Sequence, residues 1–283
     1  MLRKLLGIAG ISSLLIAPLS AAKAADMPVK APPLPPLPAW SWTGFYVGGY
    51  AGGAWGTDGA TGTFNFPIPP FFAIDEAAEN AATSPRYKAN GFTGGVEAGG
   101  NYQVGHTVFG FEADFGAFNL RGSTSGTIAF PSTLPGGPAF PPTTFFTPTT
   151  SVATDWLFTA RPRLGWATDH WLFYVTGGLA VTRETFNQTI IQLPPFIETA
   201  STAATRAGSA VGGGIEYAFA RNWSAKVEYL YVDFGHIGGV GTLTPAFAGF
   251  NFTDSSHLTA SIARVGLNYK FDWAGAAAPM VTK

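Results

Sequence analysis

From Thr43 onward the chain alternates apolar and polar residues with a period of two. The alternation recurs eight times, near 43–56, 90–104, 107–120, 153–168, 171–184, 207–220, 223–235 and 257–271. Such a period marks strands whose two faces meet different surroundings, and each segment exceeds the roughly 9–11 residues that a tilted strand needs to cross a bilayer. In the second segment Phe92, Val96, Ala98 and Tyr102 share one parity, and Glu97, Asn101 and Gln103 the other. In the third, Phe109, Phe111, Ala113 and Phe115 oppose Glu112 and Asp114; in the fourth, Trp156, Phe158, Leu164 and Trp166 oppose Arg161 and Arg163.

The connections sort by length. Val104-Gly105-His106-Thr107, Thr168-Asp169-His170-Trp171 and Ala220-Arg221-Asn222-Trp223 are tight turns, whereas the four remaining connections are long. Strict alternation of short and long connections predicts an all-β fold: an eight-stranded antiparallel transmembrane β-barrel with short periplasmic turns, four long external loops and both ends periplasmic. Charges at mid-strand, with almost purely aliphatic or aromatic alternate positions, orient the walls. The apolar side faces lipid and the ionic side the interior, the reverse of a soluble ligand-carrying barrel.

That orientation predicts an interior network of Glu97, Glu112, Asp114, Glu216 and Glu228 with Arg161, Arg163, Lys226, Arg264 and Lys270. Buried charges must pair, so the network either plugs the barrel or forms a narrow gated conduit; eight strands leave no room for an open pore. Trp42, Phe45, Tyr102, Trp166, Trp171, Trp223 and Tyr269 fall beside the short turns or the strand termini, as a periplasmic aromatic girdle would. Paired glycines inside the strands, such as Gly48-Gly49 and Gly99-Gly100, suit the crowding and curvature of a narrow barrel.

Composition agrees. Only 12% of residues are charged, and there is no cysteine, so disulfides, thiolate metal sites and thiol nucleophiles are excluded. Arg3 and Lys4 precede an apolar run from Leu5 to Leu19 and then Ala22-Lys23-Ala24, which predicts a signal peptide over 1–24. Three of the 16 bases lie in that segment, so the 17 acids exceed the bases by four in the mature chain, and no nucleic-acid partner is implied. The expected organisation is completed by a proline-rich periplasmic leader over 25–42, the barrel over 43–271 and a periplasmic tail over 272–283. The destination is the outer membrane of a Gram-negative cell, with outer-membrane lipids and lipopolysaccharide as surroundings.

No catalytic, metal or cofactor motif is found. His106 and His170 fall in the short turns; His236 and His257 lie at outer strand ends, and Ser256 next to His257 points to the opposite face. The loops carry proline with large apolar groups at Phe64–Ala73, Ala139–Phe146 and Ile190–Ile197. Such patches either pack together as a lid or bind a partner.

The start Ala25-Asp26-Met27-Pro28-Val29-Lys30, the segment Trp42-Thr43-Gly44-Phe45-Tyr46-Val47-Gly48-Gly49 and the last strand Ala263–Phe271 resemble the porin-family outer-membrane β-barrel proteins of alphaproteobacteria. That family includes Brucella surface antigens and Bartonella haemin-binding proteins and is similar to the barrel half of OmpA. The resemblance implies a structural or porin-like role, with a surface receptor or adhesin for a partner or for haemin as the alternative. It also implies periplasmic chaperones and the barrel-assembly machinery as partners in biogenesis, with Tyr269 and Phe271 as the assembly signal. Asp272–Lys283 departs from the pattern by following the terminal aromatic. No haemin-ligand motif carries over.

Overall fold

The structure, a computed structural model, describes residues 40–65, 73–131, 145–192, 197–244 and 251–271. The signal segment, the leader as far as residue 39, the tail and the centres of the apolar loop motifs lie outside these residues.

Eight long strands form the wall: β1 (Gly44–Asn65), β2 (Arg86–Val104), β3 (Thr107–Ser125), β5 (Phe145–Thr168), β6 (Trp171–Ile191), β7 (Ile197–Ala220), β8 (Trp223–Thr244) and β9 (Asn251–Lys270). A helix, α1 (Ala73–Ala82), lies between β1 and β2, and the two-residue β4 (Ile128–Ala129) lies between β3 and β5, paired to β5 as a flap. Each long strand is antiparallel to the next, and β1 also pairs with β9 from Tyr46↔Lys270 to Asn65↔Asn251, so the sheet closes on itself. Closure removes the edges that no strand could leave open in hydrocarbon.

The three short turns stand where the sequence places them, with Gly105 (φ 60°) and Asp169 (φ 47°) in the left-handed conformation that a two-residue hairpin turn requires. The external ends differ from expectation. The long strands run 19–24 residues, about twice a membrane crossing, because pairing continues past the point where apolar alternation stops. On these extensions the outward positions are Thr61 and Thr63 in β1, Asn119, Arg121 and Ser123 in β3, and Thr199 and Ser201 in β7, which suit water rather than lipid. Below them Val96, Phe109, Phe115, Val175, Val227 and Val265 are each more than half exposed, as a lipid-facing belt must be.

The interior is stacked in layers. Trp42, Val108, Leu172 and Tyr174 close the periplasmic end, and the ionic side chains lie above them. Next comes an apolar layer built around Phe118, Leu120, Leu157, Leu230, Leu258 and Ile262, to which all eight long strands contribute. Phe64, Phe130, Phe146, Ile190 and Phe252 fill the outer mouth. The described ends of the apolar loop motifs at Phe64, Phe146 and Ile190 thus turn inward, whereas Phe145, Ile191 and Ile197 remain exposed.

Helix α1 was not anticipated. Its sequence AIDEAAENAA is rich in strong helix formers, and it seats in the outer mouth with Ala78 and Ala82 against the aromatic layer. Asn80 Oδ1 accepts from Phe64 N at 2.6 Å, and the Gln192 amide bridges Glu79 and Glu198 at 2.8 and 2.6 Å. Burial, then the nearby Glu198 and Asp75, push Glu79 up to about 9; burial pushes Glu198 up to about 8. Both carboxyls bind protons more tightly folded than unfolded. Their support for the seated helix is therefore complete below an ordinary carboxylate pKa and lost as pH rises through about 8–9. Hydrogen exchange should accordingly accelerate in residues 73–82 between pH 6 and pH 10, beyond its intrinsic pH dependence, and Glu79→Gln should reduce that extra acceleration, with Glu198→Gln added to abolish it.

Candidate functional site

Parity places the ionic residues on the inward face, and strand register brings them to one level. Glu112 pairs with Arg161 across β3 and β5, Glu97 with Asp114 across β2 and β3, and Glu228 with Arg264 across β8 and β9. The Arg161 guanidinium contacts Glu112 at 3.0 Å, Asp114 at 2.9 Å and Glu228 at 3.2 Å, and its Nε donates to Thr159 Oγ1 at 2.8 Å. Arg264 reaches Asp114 at 3.0 Å and Glu228 at 2.6 Å. Although Glu216 lies opposite Lys226 in register, Lys226 crosses the lumen to Glu97 and Glu112, each at 2.8 Å. Glu216 instead takes Arg163 at 3.3 Å, the Ser224 hydroxyl at 2.5 Å and the Asn268 amide at 3.2 Å.

Nine of the ten residues expected in the network are therefore in it, all buried. Lys270 is the exception and is corrected here: it shares the inward parity but sits at the periplasmic rim, where its ammonium donates to Ser41 O and lies 4.1 Å from the centre of the Trp40 ring. Trp42 is a second correction. It is 3% exposed and tucks into the barrel end with its backbone N donating to Gln103 Oε1 at 2.8 Å, because the chain before β1 turns in rather than continuing the wall. Of the other aromatics expected at this rim, Phe45, Tyr102, Trp166, Trp171 and Trp223 all face outward, and half-buried Tyr269 packs edge-on against Trp223 and Phe271.

Three tyrosines escaped the sequence reading. Tyr46 donates to Glu112 Oε2 at 2.8 Å and Tyr174 to Glu228 Oε1 at 3.0 Å, and the Arg163 guanidinium lies about 5 Å from both rings. Tyr50 donates to Asp114 Oδ1 at 3.4 Å and stacks under Arg264. Their inward parity was the available signal. Glycines make the room: a Cβ on Gly99 would stand 2.2 Å from the Tyr46 hydroxyl, and one on Gly110 would stand 2.3 Å from Asn101 Oδ1, the acceptor of Arg163 Nε.

A second polar group, also missed, lies farther out. Asp58 accepts from Tyr87 at 2.6 Å and from Ser256 at 2.6 Å, and Glu184 accepts from Ser256 at 2.9 Å and from Arg206 at 3.3 Å. Ser256 is thus inside, whereas His257 is on the outer surface bonded to Asp233 at 2.9 Å, so the pair does not form a nucleophile and its base. Among the described residues no three His, Asp or Glu side chains are placed to hold a metal ion.

Arg161 alone satisfies three carboxylates, and truncating one partner of a buried network leaves charge uncompensated, typically at a cost of about 3–5 kcal/mol. Arg161→Ala should lower stability to urea in lipid vesicles by about that amount, while Arg183→Ala, on the outer wall, should change it little.

The comparisons agree with this architecture. The family model for the outer membrane protein beta-barrel domain matches residues 11–271. The 31 kDa outer-membrane immunogenic protein of Brucella melitensis is 35% identical over 264 residues, covering 89% of this chain and 94% of that protein. A 22 kDa outer membrane protein of Rhizobium leguminosarum is 28% identical over 200 residues, covering 71% of this chain and 68% of that protein. Among solved structures, the outer membrane protein OprG from Pseudomonas aeruginosa aligns over 81% of this chain and 96% of its own with a TM-score of 0.43 and 10% identity. With a closed ring of antiparallel strands, a family-model match over residues 11–271 and the 35% identity to the Brucella protein, the chain belongs to the outer-membrane β-barrel protein family and resides in the outer membrane.

Proposed function

We propose that the protein is a sealed, non-conducting barrel that strengthens the outer membrane and holds its loops at the cell surface. The observation that carries this reading is the apolar layer above the ionic network. Side chains from all eight long strands meet there as one buried cluster, and an ion crossing it would forfeit its hydration for few ligands, since the neighbouring Asp58 and Glu184 carboxyls are already held by Tyr87, Ser256 and Arg206. The ionic layer beneath serves as filling: its carboxylates and bases neutralise one another across the lumen and tie distant strands together, as Lys226 does between β8, β2 and β3.

A second reading, surface recognition, draws on the extracellular strand extensions, which lift the loops above the bilayer plane. The relatives from Brucella are named as outer-membrane immunogenic proteins. Both readings leave the interior shut.

Planar-bilayer recording separates the sealed barrel from a conduit. Wild type should add no resolvable current steps, and Glu112→Gln should add none either, whereas Phe118→Ala combined with Leu230→Ala should introduce a leak by thinning the apolar layer. Steady current through wild type that changes with Glu112→Gln would overturn the proposal.

A further inference from the structure

The outer wall carries an organised polar surface that the interior does not explain. Across β2, β1, β9 and β8 the register aligns outward residues in rows. Asn90, Trp55, Ser261 and Tyr231 form one row, and Lys88, Thr57, Thr259 and Asp233 form the next row outward. Beyond it lie Arg86, Gly59, His257 and His236. The first two rows enclose a groove of about 390 Å³ with Trp55 and Tyr231 as walls, Thr57, Thr259 and Ser261 as a hydroxyl floor, and Lys88 at one side.

Lys88, Arg86 and, on the neighbouring β3, Arg121 are all exposed, and none has an ion-pair partner among the described residues. The nearby acid Asp233 is already bonded to His257 and to Gly235 N; Asp155 stands beyond Arg121 on β5. Toward the membrane centre the same wall becomes shallow and apolar. Gly49, Ala51 and Gly53 follow one another outward-facing on β1, with open space over Gly53. The open cavity of about 700 Å³ bounded by Val47, Gly49, Val96, Trp223, Leu267 and Tyr269 lies below this strip, toward the periplasmic rim.

Going outward from Ala51, then, the wall offers a shallow apolar strip, an aromatic pair (Trp55 and Tyr229, 6.4 Å apart), a hydroxyl floor and unneutralised bases. An amphiphile lying along the wall has that order of chemistry. Short turns at the other end place the bases in the outer leaflet, and cations near a membrane surface are attracted to anionic headgroups. We propose that this wall is a binding site for an anionic outer-leaflet glycolipid. An acyl chain lies along Ala51 and Gly53, sugar hydroxyls meet Thr57, Thr259 and Ser261, and a phosphate meets Lys88 and Arg86, with Arg121 beside them. The proposal rests on the orientation of the barrel and not on whether the barrel conducts.

Native mass spectrometry of the folded protein in detergent, titrated with bisphosphorylated lipid A, tests it. Wild type should retain lipid A adducts, and Lys88→Gln with Arg86→Gln should weaken them about tenfold or more. Arg183→Gln, an exposed base on β6, should leave them unchanged, and fully dephosphorylated lipid A should bind wild type as weakly as lipid A binds the double variant. Faster migration of unboiled samples in detergent gels verifies that each variant is folded. Equal retention by wild type and the double variant would overturn the site, as would complete displacement of the lipid by inorganic phosphate.

Discussion

A backbone amide in hydrocarbon has no partner except another strand, and this constraint organises the molecule. It demands the pairing of β1 with β9, without which Tyr46 to Asn65 would line an open edge. Closure around eight strands in turn fixes a lumen only about as wide as the side chains that fill it. Everything that points inward must therefore be packed or paired, and everything that points outward must suit lipid or, farther up, water.

The interior meets that demand by stratification. A smaller group of Asp58, Glu184 and Arg206 lies farther out, but most of the charge shares one level, where acids meet bases and tyrosine hydroxyls satisfy remaining carboxylate oxygens. Apolar layers lie on both sides of it. Glycines such as Gly99 and Gly110 are part of this arrangement, since any larger residue would collide with Tyr46 or with the Asn101 acceptor that holds Arg163. Ion pairs so enclosed are weak contributors to net stability but costly to break.

Fold and interior were legible wherever lipid imposes a contrast between faces. The turns at Val104–Thr107, Thr168–Trp171 and Ala220–Trp223 were placed correctly because aromatic residues and tight-turn residues coincide there. The extracellular halves of the strands were not, since hydroxyl-bearing outward residues such as Thr61 and Ser201 blur the period of two. Trp42 and Lys270 failed for one shared reason. Both stand at the periplasmic rim, where residue type and parity no longer determine whether a side chain joins the wall, the ionic layer or the closing plug. Helix α1 left a compositional trace in Ala73–Ala82, hidden inside a connection long enough to be taken as loop.

The central claim is that alternate outward residues touch hydrocarbon up to the aromatic rim and water beyond it. A chain without cysteine permits single nitroxide labels at chosen sites. Their collision rates with lipid-soluble oxygen and with a water-soluble nickel complex, measured in vesicles, test the claim most directly. Labels at Val227 and Val265 should favour oxygen, and labels at Thr253 and Ser255 should favour nickel. Comparable nickel exposure at all four positions would contradict the account.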